Sequence, residues 1–268
     1  MAFAVSLAAR LHRIPIVHTF HIVASQDRAH GFVRNRTEAR LIKSARPALV
    51  TALNEHDLEV LRALGLKAVL LPNGLDMNVW RPISPRAEDG RFVITSVGRL
   101  EKQKDYELLI RASRLLADNV DIRIVGDGSL RPHLQQLITS SGVGNRVSLL
   151  GPKSVAEIRE LFAGTDAVVI CSLFEAMPLS LLEAWASGLP VITTEVGMVK
   201  GPDPEQARAV HLVTSRDPAT LAAAIRRLQD DRSYRRTLVE AGFDEVKQYS
   251  WDQVHDLLED YYGQVTHR

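Results

Sequence analysis

Two carboxylates, Glu175 and Glu183, stand eight positions apart in the stretch 172–191, with Pro178 between them. Pro178 suits the first position of a helix, where its missing N–H leaves no bond unmade. That reading puts Glu175 in the turn after a strand and Glu183 two turns into the next helix. Gly188-Leu189-Pro190-Val191 then leads into a β-branched run. Open α/β sheets bind ligands beyond the carboxyl ends of their strands. Two acids presented there can accept hydrogen bonds from sugar or ribose hydroxyls.

A complementary set of cations lies upstream. Val97-Gly98-Arg99-Leu100-Glu101-Lys102-Gln103-Lys104-Asp105 follows a strand and precedes a helix. Gly98 allows a tight turn. Arg99 offers phosphate oxygens a planar fork, and Lys104 a compact charge. The helix N-terminus adds a favourable dipole. Alone, such a loop is more often a solvated surface; on the edge that carries the paired acids, an anion site is the better reading. Ile124-Val125-Gly126-Asp127-Gly128 ends a second strand but lacks the full Gly-x-Gly-x-x-Gly spacing. It reads as mainly structural, or as backbone at Gly126 lining a nucleotide pocket. Leu150-Gly151-Pro152-Lys153-Ser154 is either a backbone that reads a base edge around Lys153 or a simple turn capped by Ser154. His18 and His21 end the first strand of the chain, and His21, further out, is the stronger site candidate. No Asp-x-Asp stands at a strand end, so no metal site is expected.

These residues need a framework. Strands are expected at Phe92–Val97, Asp121–Val125, Val147–Leu150, Ala167–Cys171, Pro190–Thr194 and Val210–Val213. Helices are expected between them at Tyr106–Ala117, Leu130–Ser140, Val155–Ala163 and Pro178–Ser187, then from Asp217-Pro218 to Gln229, Tyr234–Gln248 and Asp252–Gly263. Such alternation builds a parallel sheet covered on both faces. Upstream, Pro15–Phe20, Ala48–Leu53 and Ala68–Leu71 read as strands, and Ala2–Arg13, Arg36–Ser44 and Glu55–Leu64 as helices. The expected organisation is a partial domain over 1–80, a Pro-rich linker over 81–90 and a complete domain over 91–268. Three strands are few for a free parallel sheet, so the first domain is expected to lack its beginning.

The whole chain narrows the classes further. It has 268 residues, of which 46% are hydrophobic and 24% charged, as in ordinary globular proteins. A net charge of +1 argues against nucleic acid as a partner. The single cysteine, Cys171, excludes an intrachain disulfide, and a cytoplasmic setting is the simple reading. Arg10 and Arg13 follow the apolar start instead of preceding it, which is the wrong order for a signal peptide. Residues 28–46 carry Arg28, His30, Arg34, Arg36, Arg40, Lys43 and Arg46. A solvated helix face is the simpler reading; the sharper one is peripheral contact with anionic lipid at the inner membrane face.

Taken together, the motifs resemble the family 4 (group 1) retaining glycosyltransferases of the GT-B fold. The matching order is Thr-Phe-His21, Pro-Asn73-Gly-Leu-Asp, Val-Gly98-Arg99-Leu-x-x-x-Lys104, Val-Gly126-Asp-Gly, and Glu175-x₇-Glu183 with Gly-x-Pro190-Val. The resemblance implies two Rossmann-like α/β domains, the N-terminal one incomplete. It implies a UDP- or GDP-sugar as donor, a sugar, lipid-linked or small-molecule acceptor, and no cofactor or essential metal. Arg99 and Lys104 would hold the diphosphate and Glu183 the ribose hydroxyls. Glu175 and the segment Ala176, Met177, Pro178 and Leu179 would contact the donor sugar, which His21 would approach from the first domain. Gly98, Gly126 and Lys153 complete the expected donor site. A donor-binding module without catalysis is the alternative. The chain departs from the family at Ala176, where glycine is usual, and in the segment 195–205.

Overall fold

The computed structural model describes residues 16–20, 40, 44, 47–87, 89–199 and 208–266. The chain divides into two units: Leu75–Leu173 with Pro178–Lys247 form one, while residues up to Gly74, Phe174–Met177 and residues from Gln248 form the other.

In the first unit, β1 (Val17–Phe20), β2 (Leu49–Ala52) and β3 (Ala68–Leu70) make a parallel sheet in the order β1-β2-β3. Helix α1 (Glu55–Ala63) carries the chain from β2 to β3. Its apolar face, Leu58 and Leu61, packs with Val50, Ala52, Leu66 and Ala68. Asn54 caps its N-terminus by accepting a bond from the Asp57 amide at 2.8 Å, a contact worth about 1 kcal/mol.

The second unit is a six-stranded parallel sheet: β4 (Phe92–Val97), β5 (Val120–Val125), β6 (Val147–Leu149), β7 (Ala167–Ile170), β8 (Val191–Thr194) and β9 (His211–Val213). Its order is β6-β5-β4-β7-β8-β9. The chain thus winds outward from β4 in one direction, then returns to the other side of β4 as β7. Helices α2 (Tyr106–Ser113), α3 (Arg131–Ser140), α4 (Val155–Ala163), α5 (Leu179–Ser187), α6 (Pro218–Asp230) and α7 (Arg232–Val246) complete the unit. Every residue of β7, Ala-Val-Val-Ile, is buried, as suits a strand covered on both faces. On β5, which alternates, the even positions Ile122 and Ile124 are buried and Asp121 and Arg123 less so.

Among the described residues the element types agree with the sequence reading, and the bounds differ by at most four residues. Two differences matter. The Pro-rich stretch 81–90 is no loose tether. Trp80 is buried against Phe162 with ring centroids 5.8 Å apart, the Ile83 amide donates to Ser187 O at 3.2 Å, and Arg86 pairs with Asp166 at 3.2 Å. Nor does everything after residue 91 join the second unit. The last helix, α8 (Trp251–Thr266), belongs with the first, where the Tyr261 hydroxyl donates to Leu70 O at 2.8 Å. The helix expected at Ala2–Arg13 lies outside the described residues, as does most of the one at Arg36–Ser44. Among the described residues no helix is long and apolar enough to cross a membrane.

The ends of β4 and β5 converge tightly. Gly126 has φ +135°, and a Cβ there would meet Gly98 O at 2.0 Å. The Gly98 amide donates to Val125 O at 3.0 Å, and the Leu100 amide to Asp127 O at 2.9 Å. Gly126→Ala would add both backbone strain and a clash with a carbonyl that cannot yield alone. It should lower unfolding free energy by about 2–4 kcal/mol. Urea denaturation checks this, and a loss under 0.5 kcal/mol (about the scale of a neutral surface change) would contradict the close approach.

Candidate functional site

A sheet wound in both directions from β4 leaves a crevice where the winding reverses, outside the carboxyl ends of β4 and β7. Right-handed crossovers from those two strands run over opposite faces of the sheet. Gly98 and Arg99 directly follow β4, and Cys171 and Ser172 directly follow β7. The expected phosphate loop therefore stands on one side of the switch point.

The loops that bound the crevice are bonded to each other. The Leu173 amide donates to Gln103 O at 2.7 Å, and Cys171 Sγ donates to Lys104 O at 3.2 Å. Burial pushes the Cys171 thiol up to about 12, so it acts as an un-ionised donor. Residues Lys102–Lys104 form a 3₁₀ turn, and α2 begins two residues later. A Cβ on Gly98 would come within 2.8 Å of Lys104 Cε and 2.9 Å of the Tyr106 hydroxyl. The Lys104 stem thus lies across Gly98, and the missing side chain is what admits it. Arg99 is exposed beside it. Glu101 turns the other way: it accepts bonds from the Ser129 amide at 2.9 Å and hydroxyl at 2.7 Å. This ties the Arg99 loop to the Gly126–Gly128 turn, and the Ser129 bonds lower the Glu101 pKa.

Pro178 is the N-cap of α5, with φ −70° and ψ 117°, one position before its expected place. Glu183 is therefore the fifth helical residue, at the start of the second turn. Its flanks Leu182 and Ala184 are fully buried. Burial raises its carboxyl pKa from 4.5 to about 7.

Glu175, Ala176 and Met177 belong to the first unit and are buried there. The Asn54 amide nitrogen donates to Ala176 O at 2.8 Å and to Asp57 Oδ2 at 3.1 Å. The Asn73 amide approaches Met177 Sδ at 3.2 Å. Sequence reading missed Asn54. The available signal was an asparagine immediately before a helical pattern, a cap signature whose second bond no sequence pattern discloses.

Lys153 is occupied locally: its ammonium pairs with Glu157 at 2.9 Å. Ser154 and Glu157 form a reciprocal capping box on α4, which agrees with the simple-turn reading of that segment. His21 lies outside the described residues, as does the basic run 28–46 except Arg40, which is exposed, and Ser44.

Comparison with known proteins places this arrangement. A D-inositol 3-phosphate glycosyltransferase of Corynebacterium diphtheriae is 28% identical over 287 residues, covering 96% of this chain and 66% of that protein. One from Corynebacterium aurimucosum is 30% identical, covering 93% and 66%. The chain thus spans just under two thirds of the length of these relatives. Anabaena HepE in complex with UDP and glucose superposes with a TM-score of 0.82 at 23% identity, covering 98% of this chain and 75% of that one. Sucrose-phosphate synthase from Thermosynechococcus elongatus gives 0.84 at 20% identity, covering 98% and 72%. These likenesses establish a GT-B fold. The family described as glycosyl transferases group 1 matches residues 79–245, and the chain belongs to that family.

Proposed function

We propose that the protein transfers a hexosyl group from a nucleoside diphosphate sugar to a sugar, lipid-linked or small-molecule acceptor, with retention of configuration, as a family 4 enzyme. The reading is carried by one observation: the Gly98–Lys104 loop stands at the winding reversal of a group 1 glycosyltransferase sheet, with the Lys104 stem seated on Gly98. The UDP complex of HepE supports UDP as the first nucleotide to test. The relatives named for D-inositol 3-phosphate make phosphorylated polyols the first acceptors to test.

In this reading, cleavage of the bond between the anomeric carbon and the phosphate oxygen leaves charge on the diphosphate. Arg99 and Lys104 stabilise that charge as it grows, aided by the N-terminus of α2. The acceptor hydroxyl attacks the face the leaving group vacates and gives its proton to the departing phosphate. No separate side-chain base is then needed, nor a metal to carry the diphosphate charge. Glu183 accepts hydrogen bonds from the ribose hydroxyls. Glu175, with the backbone from Ala176 to Leu179, holds the sugar, and His21 approaches it.

Calorimetry with UDP- and GDP-sugars tests donor binding directly, and a chain that binds neither overturns the reading. Lys104→Ala should cut donor turnover by roughly 10²–10³, the scale of losing one preorganised charge-stabilising donor. Nucleotide release followed under saturating donor measures this; turnover within twofold of the native chain removes Lys104 from the assignment.

The raised pKa of Glu183 adds a pH dependence. Between pH 4.5 and about 7 the folded chain holds this proton and the unfolded chain does not. The contribution is full below 4.5, and stability falls as pH rises through 7. Glu183→Gln should remove that part of the slope in urea titrations. Ribose hydroxyls donate to the ionised form, so affinity for a UDP-sugar should rise roughly tenfold from pH 5.5 to 8. The glutamine variant should show a flat profile over the same range. A native profile that is itself flat would exclude contact between Glu183 and the ribose.

A further inference from the structure

Asp105, which follows Lys104, has φ 47° and ψ 44°. It is the only non-glycine residue with positive φ among the described residues. Left-handed backbone costs a side-chain-bearing residue free energy and persists only where the surroundings impose it. The Asp105 carboxylate is held by the Leu108 amide and by Arg216. Arg216, in the loop between β9 and α6, donates from Nη1 to Asp105 Oδ2 at 2.8 Å. The same nitrogen reaches Cys171 O at 3.1 Å, and Nη2 donates to Ser172 O. One guanidinium therefore grips the residue after Lys104 and the two residues after β7. Burial raises the Asp105 carboxyl pKa, and Arg216 opposes that shift.

We propose that Arg216 is a positioning residue: by pinning Asp105 in its left-handed turn against the end of β7, it fixes Lys104 over Gly98 for the diphosphate. The inference rests on the reading of Lys104 given above. Its physical basis is a lever. Lys104 and Asp105 share a peptide plane, so rotation of Asp105 toward ordinary right-handed backbone would swing the Lys104 carbonyl away from Cys171 Sγ. The side chain on that same residue would move with it. A planar fork serves three acceptors in two loops at once. A lysine ammonium, with its compact charge, cannot reproduce that span. Arg216 itself is partly exposed and lies outside every motif used above, so the sequence offers no sign of its role.

The test compares Arg216→Ala, Arg216→Lys, Asp105→Gly, the Asp105→Gly/Arg216→Ala double variant and Lys104→Ala in the full chain. Binding of UDP and of UMP is measured by calorimetry. Arg216→Ala should weaken UDP about tenfold and UMP less than twofold, because the displaced lysine serves the terminal phosphate. A general loss of fold would weaken both equally. Arg216→Lys should recover only part of the loss. Glycine takes positive φ without cost, so the double variant should return to within about threefold of the native chain. Equal loss of UDP and UMP, no loss in Arg216→Ala while Lys104→Ala weakens UDP, or a double variant as weak as Arg216→Ala, each overturns the proposal. If Lys104→Ala leaves UDP binding unchanged, or the native chain binds neither nucleotide, the diphosphate assignment fails first and this inference falls with it.

Discussion

A parallel strand needs a crossover connection, and a sheet covered on both faces must send its crossovers both ways. In the second unit that constraint marks a candidate place for a ligand. With β5 and β6 on one side of β4, and β7, β8 and β9 on the other, the crossovers part company at β4 and β7. Between them lies the place in this sheet where the direction of winding reverses. Gly98–Lys104 and Cys171–Leu173 follow those two strands. The site proposed at this edge thus starts from topology, before any side chain.

Within the second unit the two signs of charge are handled differently. Arg99 is exposed, where solvation costs nothing and a bound anion gains from it. Glu183 is held in an apolar helix, and its pKa near 7 is the cost of that burial. A carboxylate destabilised in the empty protein gains most when hydroxyl donors arrive. The proposed assignment matches ligands that bring phosphate to one place and hydroxyls to another. Nucleoside diphosphate sugars have that division built in.

The close approach of Gly126 to Gly98 O and the seating of Lys104 over Gly98 serve different ends. At Gly126 the missing Cβ lets two backbones meet, which sets the height of the loop after β4. At Gly98 it lets a side chain cross, which sets the direction of the cation. The bonds from Ser129 to Glu101, from Leu173 to Gln103 and from Cys171 to Lys104 then tie the loop to its neighbours. Preorganisation of this kind is what allows a charge to act on a developing anion without reorganising first.

The sequence by itself determined the strands and helices of the second unit, because apolar β-branched runs and 3.6-residue periodicity are local properties. It also determined the candidate cations and carboxylates, whose spacing relative to strand ends is readable without coordinates. Helix ends were legible less sharply. Pro178 suits both N-cap and first helical position, and only the backbone angles separate them. What tertiary structure alone decided involves partners far apart in the chain. Asn54 reaches Ala176 across 122 positions and Arg216 reaches Asp105 across 111. The segment 81–90 looks like a linker by composition, but Trp80 and Arg86 fasten it down through Phe162 and Asp166. A hydrogen bond or ion pair of this range leaves no period in the sequence, since either residue could serve elsewhere. It exists only once the sheet order has brought the two loops to one edge.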